Sequence, residues 1–236
     1  MRILIVKPIL PYPPTQGTRR VTMTLLRAIA ARHDVDLLVP LQSPGQQVDV
    51  VALEQEVCCR VIGCPAPNQR SPFHRGWYKV RYVLESLAGG HSPRALYATP
   101  ANLMREAARL SGDRGYDLAV FEYWYMYRVF DRVRAARRVL LAHDYEFEVN
   151  RRASTDPARR RWSSHESRRE LEACRNVDEV WALTGEDASA LSRASGVPRD
   201  RFRVFPFGVN VEELKSSGND AGENVLFFGS FLADFN

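Results

Sequence analysis

The chain has 236 residues and a mass of 26.9 kDa, room for one large domain and the start of another at about 150 residues per domain. Apolar residues make up 45% and charged residues 26%, which excludes a disordered chain and supplies enough apolar side chains for a core. The formal charge of +5 and pI near 9.2 leave a nucleic-acid binder, a membrane-surface protein and an enzyme of phosphorylated substrates open, because clustered cations attract all three.

Lys7, Lys79 and Lys215 are the only lysines, so the positive charge is almost all arginine, which suits bidentate phosphate contacts. Cys58, Cys59, Cys64 and Cys174 have neither zinc-ligand spacing nor a dense disulfide pattern, and read as reduced thiols of a cytosolic protein.

In chain order, MRILIVKPILPYPP reads as a first strand, Arg2 to Val6, because Lys7 interrupts the apolar run and no small-residue cleavage site follows. Gly17 can supply an unusual backbone angle, Thr18 can cap the next helix, and Arg19 and Arg20 open it. Val21, Leu25, Ala28 and Ile29 recur at helical spacing. Cations at a helix amino terminus oppose its dipole by about 0.3–1 kcal/mol each, so two of them call for an anion nearby, and a diphosphate fits. Ordinary surface arginines are the plainer alternative.

Val35 to Val39 reads as a second buried strand. The triplet Asp34-Val35-Asp36 has the form of a metal-binding Asp-x-Asp, but it starts that strand, on the sheet edge away from ligands. No Gly-x-Gly-x-x-Gly follows strand one, which argues against a dinucleotide oxidoreductase. Gln42 to Gly76 is the least regular stretch and reads as a lobe on a cleft rim. His74 to Leu87, with Trp77, Tyr78, Lys79, Arg81, Tyr82 and Leu84, reads either as a core-packed helix with snorkelling cations or as a surface for a membrane or lipid-linked acceptor.

Thr99 before Pro100 is expected to cap a helix. Leu118 to Phe121 is a strand ended by Glu122 and Tyr123, where a carboxylate could accept hydrogen bonds from acceptor hydroxyls and a tyrosine could stack on a sugar. Val139 to Ala142 is a strand followed directly by His143 and Asp144. The highly charged helix Ala158 to Arg175 is expected on the outside. Glu179 to Leu183 is a further strand. Thr184 with Asp187 forms a capping box, and Gly196 with Pro198 closes the helix between them. Arg203 to Phe205 and Val225 to Phe228 complete the strands.

Runs apolar at consecutive positions, alternating with helices, are the mark of strands buried on both faces of a parallel sheet. The fold class is therefore α/β, a doubly wound parallel sheet, with ligands expected beyond the carboxyl ends of the strands where strand order reverses. No stretch reaches the ~18 apolar residues that span a bilayer.

Three places, the opening strand with PYPPTQGTRR, the central LLAHDYEFEVNRR, and FRVFPFGVNVEEL followed by VLFFGS, together resemble the family 4 glycosyltransferases of the GT-B fold. The resemblance runs in order through the whole chain. It implies transfer of a sugar from a nucleotide diphosphate sugar to a hydroxyl acceptor with retention, in polysaccharide or glycoconjugate biosynthesis, by two Rossmann-like domains. On it, residues 1–215 are the acceptor-side domain, and residues 216–236 the linker and first strand of a donor-binding domain that is cut short. His143 would lie near the donor sugar as the catalytic residue, beside Asp144.

Gly17, Thr18 and Arg19 would serve the leaving diphosphate, and Gly229 and Ser230 would approach the donor phosphates. Pro206, Gly208, Val209 and Asn210 resemble the family's Asn-Gly-Val-Asp turn, with Phe207 and Asn210 in place of its asparagine and aspartate. The family's donor-holding glutamates would fall beyond Asn236. No metal and no cofactor are implied. The implied partners are the nucleotide sugar, a sugar or lipid-linked acceptor, peripheral membrane contact and the missing carboxyl-terminal domain, without nucleic acid, in the cytoplasm or at the inner face of its membrane. A non-catalytic basic module for nucleic acid or acidic polymers, and a nucleotide-sugar epimerase of the same architecture, remain as alternatives.

Overall fold

The computed structural model describes residues 1–15, 17–66, 76–77, 80–81, 84–85, 90–112, 114–145, 157–206 and 208, with the side chains of 157–165 left aside. Seven strands form one sheet: β1 (Arg2–Val6), β2 (Asp34–Leu41), β3 (Arg60–Pro65), β4 (Tyr116–Glu122), β5 (Ala135–Ala142), β6 (Glu179–Ala182) and β7 (Phe202–Val204), in the order β3-β2-β1-β4-β5-β6-β7. Every neighbouring pair is parallel. The chain winds outward from β1 to β3, returns to the centre and winds the other way from β4 to β7, so the order reverses between β1 and β4.

Helices cover both faces, and the alternation of strand side chains decides which residue meets which layer. Ile3 and Ile5 of β1 face α1 (Gly17–Ala30) and α2 (Gln46–Val57), through Met23, Leu26, Val50 and Leu53. Leu4 and Val6 face the opposite layer, where α3 (Pro93–Ala98), α4 (Ala101–Ser111), a three-ten helix (Trp124–Arg132), α5 (Pro157–Arg175) and α6 (Gly185–Ser195) supply Ala95, Leu103, Phe130, Cys174 and Leu191. Because both faces are covered, consecutive strand residues must all be apolar, which is why the strands read as unbroken runs.

Five of the six expected strands within the described residues stand within two residues of their expected ends, and the sixth, expected from Val139, begins four residues earlier at Ala135; Val225 to Phe228 lies outside the described residues. Thr184 Oγ1 accepts from the Asp187 amide at 3.0 Å, and Gly196 closes α6 with φ of 72°. The expected irregular stretch is corrected: α2 and β3 lie in it. Its signals are weak because Gly45 at the helix start gives no side-chain cap, Val48 and Val51 face solvent, and β3 is interrupted by Gly63. A Cβ at that glycine would stand 2.6 Å from Leu41 Cδ1, so a larger residue would force the leucine side chain to move.

Thr99 is also corrected. It ends α3, its hydroxyl donating back to Ala95 O at 2.6 Å, while Pro100 precedes α4 without a side-chain cap. The charged helix α5 does not stay outside: Glu170, Ala173 and Cys174 are buried, and the helix packs on the three-ten segment and α6.

Candidate active site

Three central strands end in three polar residues. Lys7 follows β1, Glu122 is the last residue of β4 and His143 follows β5. The pairings Val6↔Phe121 and Glu122↔Leu141 hold these ends level, and the crevice between β1 and β4 is the point where strand order reverses. In open α/β sheets that edge is where ligands bind.

The side chains converge below the surface. Lys7 and Glu122 are each 1% exposed, Thr22 of α1 is 2% and His143 is 4%. Glu122 Oε1 accepts from Lys7 Nζ, lies 2.7 Å from His143 Nε2, and Thr22 Oγ1 stands 3.2 Å from both carboxylate oxygens. Isolated ions at this depth would cost several kcal/mol each, so the pair stands because each charge meets its opposite and the carboxylate is hydrogen-bonded as well. Burial alone would push the Glu122 carboxyl up, but the Lys7 ammonium and the His143 hydrogen bond together hold it below its ordinary value. Burial draws the Lys7 ammonium down, against the pull of Glu122.

An aromatic column packs against the imidazole. Tyr123 stacks on His143 at 4.3 Å and 15°, Tyr125 stacks behind it at 5.1 Å and 14°, and the Arg94 guanidinium covers Tyr125 at 4.8 Å. Tyr123 adopts φ of 73° and ψ of 144°, a region that costs a side-chain-bearing residue about 1–3 kcal/mol and persists only where surroundings enforce it. The turn is what swings its ring off the strand and onto the histidine.

The first loop reaches the same edge. Arg19 Nη1 donates to Pro13 O at 3.3 Å and Arg20 Nε to Pro14 O at 3.1 Å, so both arginines fold back along the loop. Among the described residues, Arg19 Nε has no hydrogen-bond partner although the atom is buried, and the Arg19 charge is felt at Lys7. Asp144 stands on the outer rim; partial burial first, then the Asp187 carboxylate, push its carboxyl up. His143, Asp144 and Tyr123 line a small cavity with Trp124, Glu170 and Cys174.

Of the residues expected at the site, His143, Asp144, Glu122 and Tyr123 come together at the strand ends, with Arg19 near them. Four expectations change. Glu122 is turned inward onto Lys7 and His143, so its carboxylate is not placed for acceptor hydroxyls. Tyr123 has one ring face against His143 and the other against Tyr125, which leaves no face for a sugar. Gly17 begins α1 and does not have positive φ; an added Cβ would meet nothing within 4 Å, so what it offers is open space. Thr18 lies inside α1 and is not its cap. Gly208 is exposed with open space around it, while Gly229 and Ser230 lie outside the described residues.

Lys7, Thr22 and Tyr125 were missed as site residues. The signal for Lys7 was in plain view: a lysine ending a fully buried strand must find a buried anion. Asp36 of the Asp-x-Asp triplet is tied at the opposite edge, bonded to Arg60 at 2.7 and 2.6 Å and to the Tyr116 hydroxyl at 2.6 Å.

Residues 16–208 match the family model described as a glycosyl transferase 4-like domain. No curated protein matches the chain. Among solved structures it is similar to the sucrose-phosphate synthase of Thermosynechococcus elongatus, with a TM-score of 0.61 and 17% identity over 90% of this chain and 49% of that one. It is also similar to UGT73P12 of Glycyrrhiza uralensis, solved with glycyrrhetinic acid 3-O-monoglucuronide, with a TM-score of 0.48 and 10% identity over 88% and 48%. A UDP-glucosyltransferase of Polygonum tinctorium follows, with a TM-score of 0.47 and 13% identity over 88% and 52%. The chain thus spans about half the length of these structures, and at 17% identity the likeness to the synthase is one of fold.

Proposed function

Since the chain belongs to the glycosyl transferase 4-like family, we propose that it forms the acceptor-side half of a retaining glycosyltransferase that moves a sugar from a nucleotide diphosphate sugar to a hydroxyl acceptor. The observation that carries this reading is the buried Lys7–Glu122–His143 constellation beside the strand-order reversal, which holds the imidazole in place at the strand ends. Transfer breaks the bond between sugar and diphosphate and makes one to the acceptor oxygen, so the diphosphate departs as an anion. Arg19, beside an open Gly17 backbone, is suited to that charge, and His143 to the sugar. The donor's other contacts, Gly229 and Ser230 among them, belong to a second domain that would close the cleft. Positioning of two substrates and stabilisation of the leaving anion would be the main sources of rate. The reaction as proposed uses no metal and no cofactor.

A basic module for nucleic acid would need a stripe of arginines facing solvent. The described arginines are instead largely spent locally, in pairs such as Arg27–Glu56, Arg60–Asp36, Arg109–Glu106 and Arg137–Glu179. The decisive experiment is to titrate nucleoside diphosphates and their sugars into the chain carrying its donor domain and into the 236-residue form. Tight binding and sugar transfer by the long form, with weak or no binding by the short one, are expected; a long form that neither binds nor transfers refutes the reading. Product analysis without acceptor tells an epimerase apart.

No helix among the described residues is long and apolar enough to cross a membrane. The proposed lipid-linked acceptor and peripheral contact rest on Trp77, Val80 and Leu84, exposed at helical spacing beside Arg81. Flotation with anionic phospholipid vesicles should carry the chain upward, and Trp77→Ser with Leu84→Ser should abolish this. Equal flotation of both proteins would remove the stretch from consideration.

A further inference from the structure

We propose that Glu122 and Lys7 are positioning residues that hold His143 as a single tautomer, with its proton on Nε2. The proposal deepens the glycosyltransferase reading, on which the role of His143 in transfer rests. The clamp itself rests on the contacts among Lys7, Glu122 and His143.

Lys7 and Glu122 are one cation and one anion, both 1% exposed and in direct contact. Their charges cancel within the pair, and the carboxylate that meets the imidazole has its own cation in contact. The ionised carboxylate has no proton to give and acts only as an acceptor. Glu122 Oε1 is 2.7 Å from His143 Nε2, so that nitrogen must be the donor, and in the neutral imidazole Nδ1 then carries the lone pair. Lys7 enters through the carboxylate: its ammonium opposes the burial that would otherwise protonate Glu122, and a protonated Glu122 could offer its own proton and reverse the tautomer.

Orientation is fixed at the same time. The Tyr123 ring lies 4.3 Å from the imidazole and nearly parallel to it, and Tyr125 supports Tyr123 from behind. A ring flip that exchanged the two nitrogens would have to break the bond to Glu122 within a space closed by this stack. Thr22 is separate from the tautomer: its hydroxyl stands between Thr18 O at 3.0 Å and the carboxylate at 3.2 Å.

The test is ¹⁵N-histidine NMR on the 236-residue chain, in which the long-range proton couplings of His143 report its tautomer. The wild-type protein is expected to show the Nε2–H form alone at neutral pH, and Thr22→Val should keep it. Glu122→Gln, whose amide can donate or accept, should give a mixed or reversed pattern, and Glu122→Asp should restore the Nε2–H form in part. Should Glu122→Gln fail to fold, Lys7→Gln combined with Glu122→Gln removes both charges and reads the same signal. A wild-type Nδ1–H form, or an unchanged pattern in the glutamine variants, overturns the clamp.

In the enzyme carrying its donor domain, Glu122→Gln should lower kcat at least tenfold with little change in KM. A changed tautomer with unchanged kcat would leave the clamp standing and overturn the role of His143 in transfer. The two failures are thus distinguishable.

Discussion

Replacing His143 by alanine in the enzyme that carries both domains is expected to lower sugar transfer by about 10²–10³-fold, the usual loss when one preorganised polar contact to a reacting group is removed. The fold should survive, because the residue follows the last paired position of β5 and Glu122 keeps Lys7 as its partner. KM for the donor should change little, since most donor contacts are proposed for the other domain. Steady-state kinetics with a circular dichroism control measures all three. A variant that transfers sugar at the parental rate removes His143 from the chemistry.

The second large effect is on stability. Lys7→Met deletes the cation and leaves Glu122 as an uncompensated charge at 1% exposure, for which a loss of about 3–5 kcal/mol is expected. Lys7→Met combined with Glu122→Met should recover most of that loss, because an apolar pair of similar volume replaces a buried ion pair at little net cost. Urea denaturation of the two variants and the parent decides the matter: a single variant as stable as the parent would show that the pair is not held as ions.

The pH dependence has a definite sign. The Glu122 carboxyl is held below its ordinary value of 4.5 in the folded chain, so its pairing stabilises the fold above the unfolded value. That contribution is lost as pH falls through the lower, folded one. The Lys7→Met, Glu122→Met variant should lack this acid-side loss.

Much of the architecture was legible because a sheet covered on both faces leaves an unbroken apolar run for each strand, as in RILIV and VLLA. β3 was not legible: its run is broken by Gly63, which is there for the sake of Leu41, a contact between chain segments that no local pattern records. Position along the chain was also enough to bring His143 and Asp144 to the ligand edge. What it could not give was direction. Glu122 ends a strand whether its carboxylate faces solvent or core, and only the location of Lys7, 115 residues earlier, decides which. Tyr123 misled for a related reason, since its backbone φ of 73° depends on an imidazole waiting on one side and Tyr125 on the other. Thr99 misled because the same hydroxyl can serve the helix behind it as well as the one ahead.

The clamp joins residues 7, 122 and 143, and the contact of Lys7 with Glu122 spans 115 positions of sequence. Such a contact is non-local, because parallel strands cannot pair through a short turn and the chain between β1 and β4 builds helices, β2 and β3. A partly folded chain, with β4 and β5 paired but β1 undocked, would hold Glu122 and His143 without their cation. Competence of the crevice is therefore an all-or-none property of the completed sheet, and the imidazole resonances of His143 would serve as a folding clock, reaching their native positions only when the first and the middle strands have met.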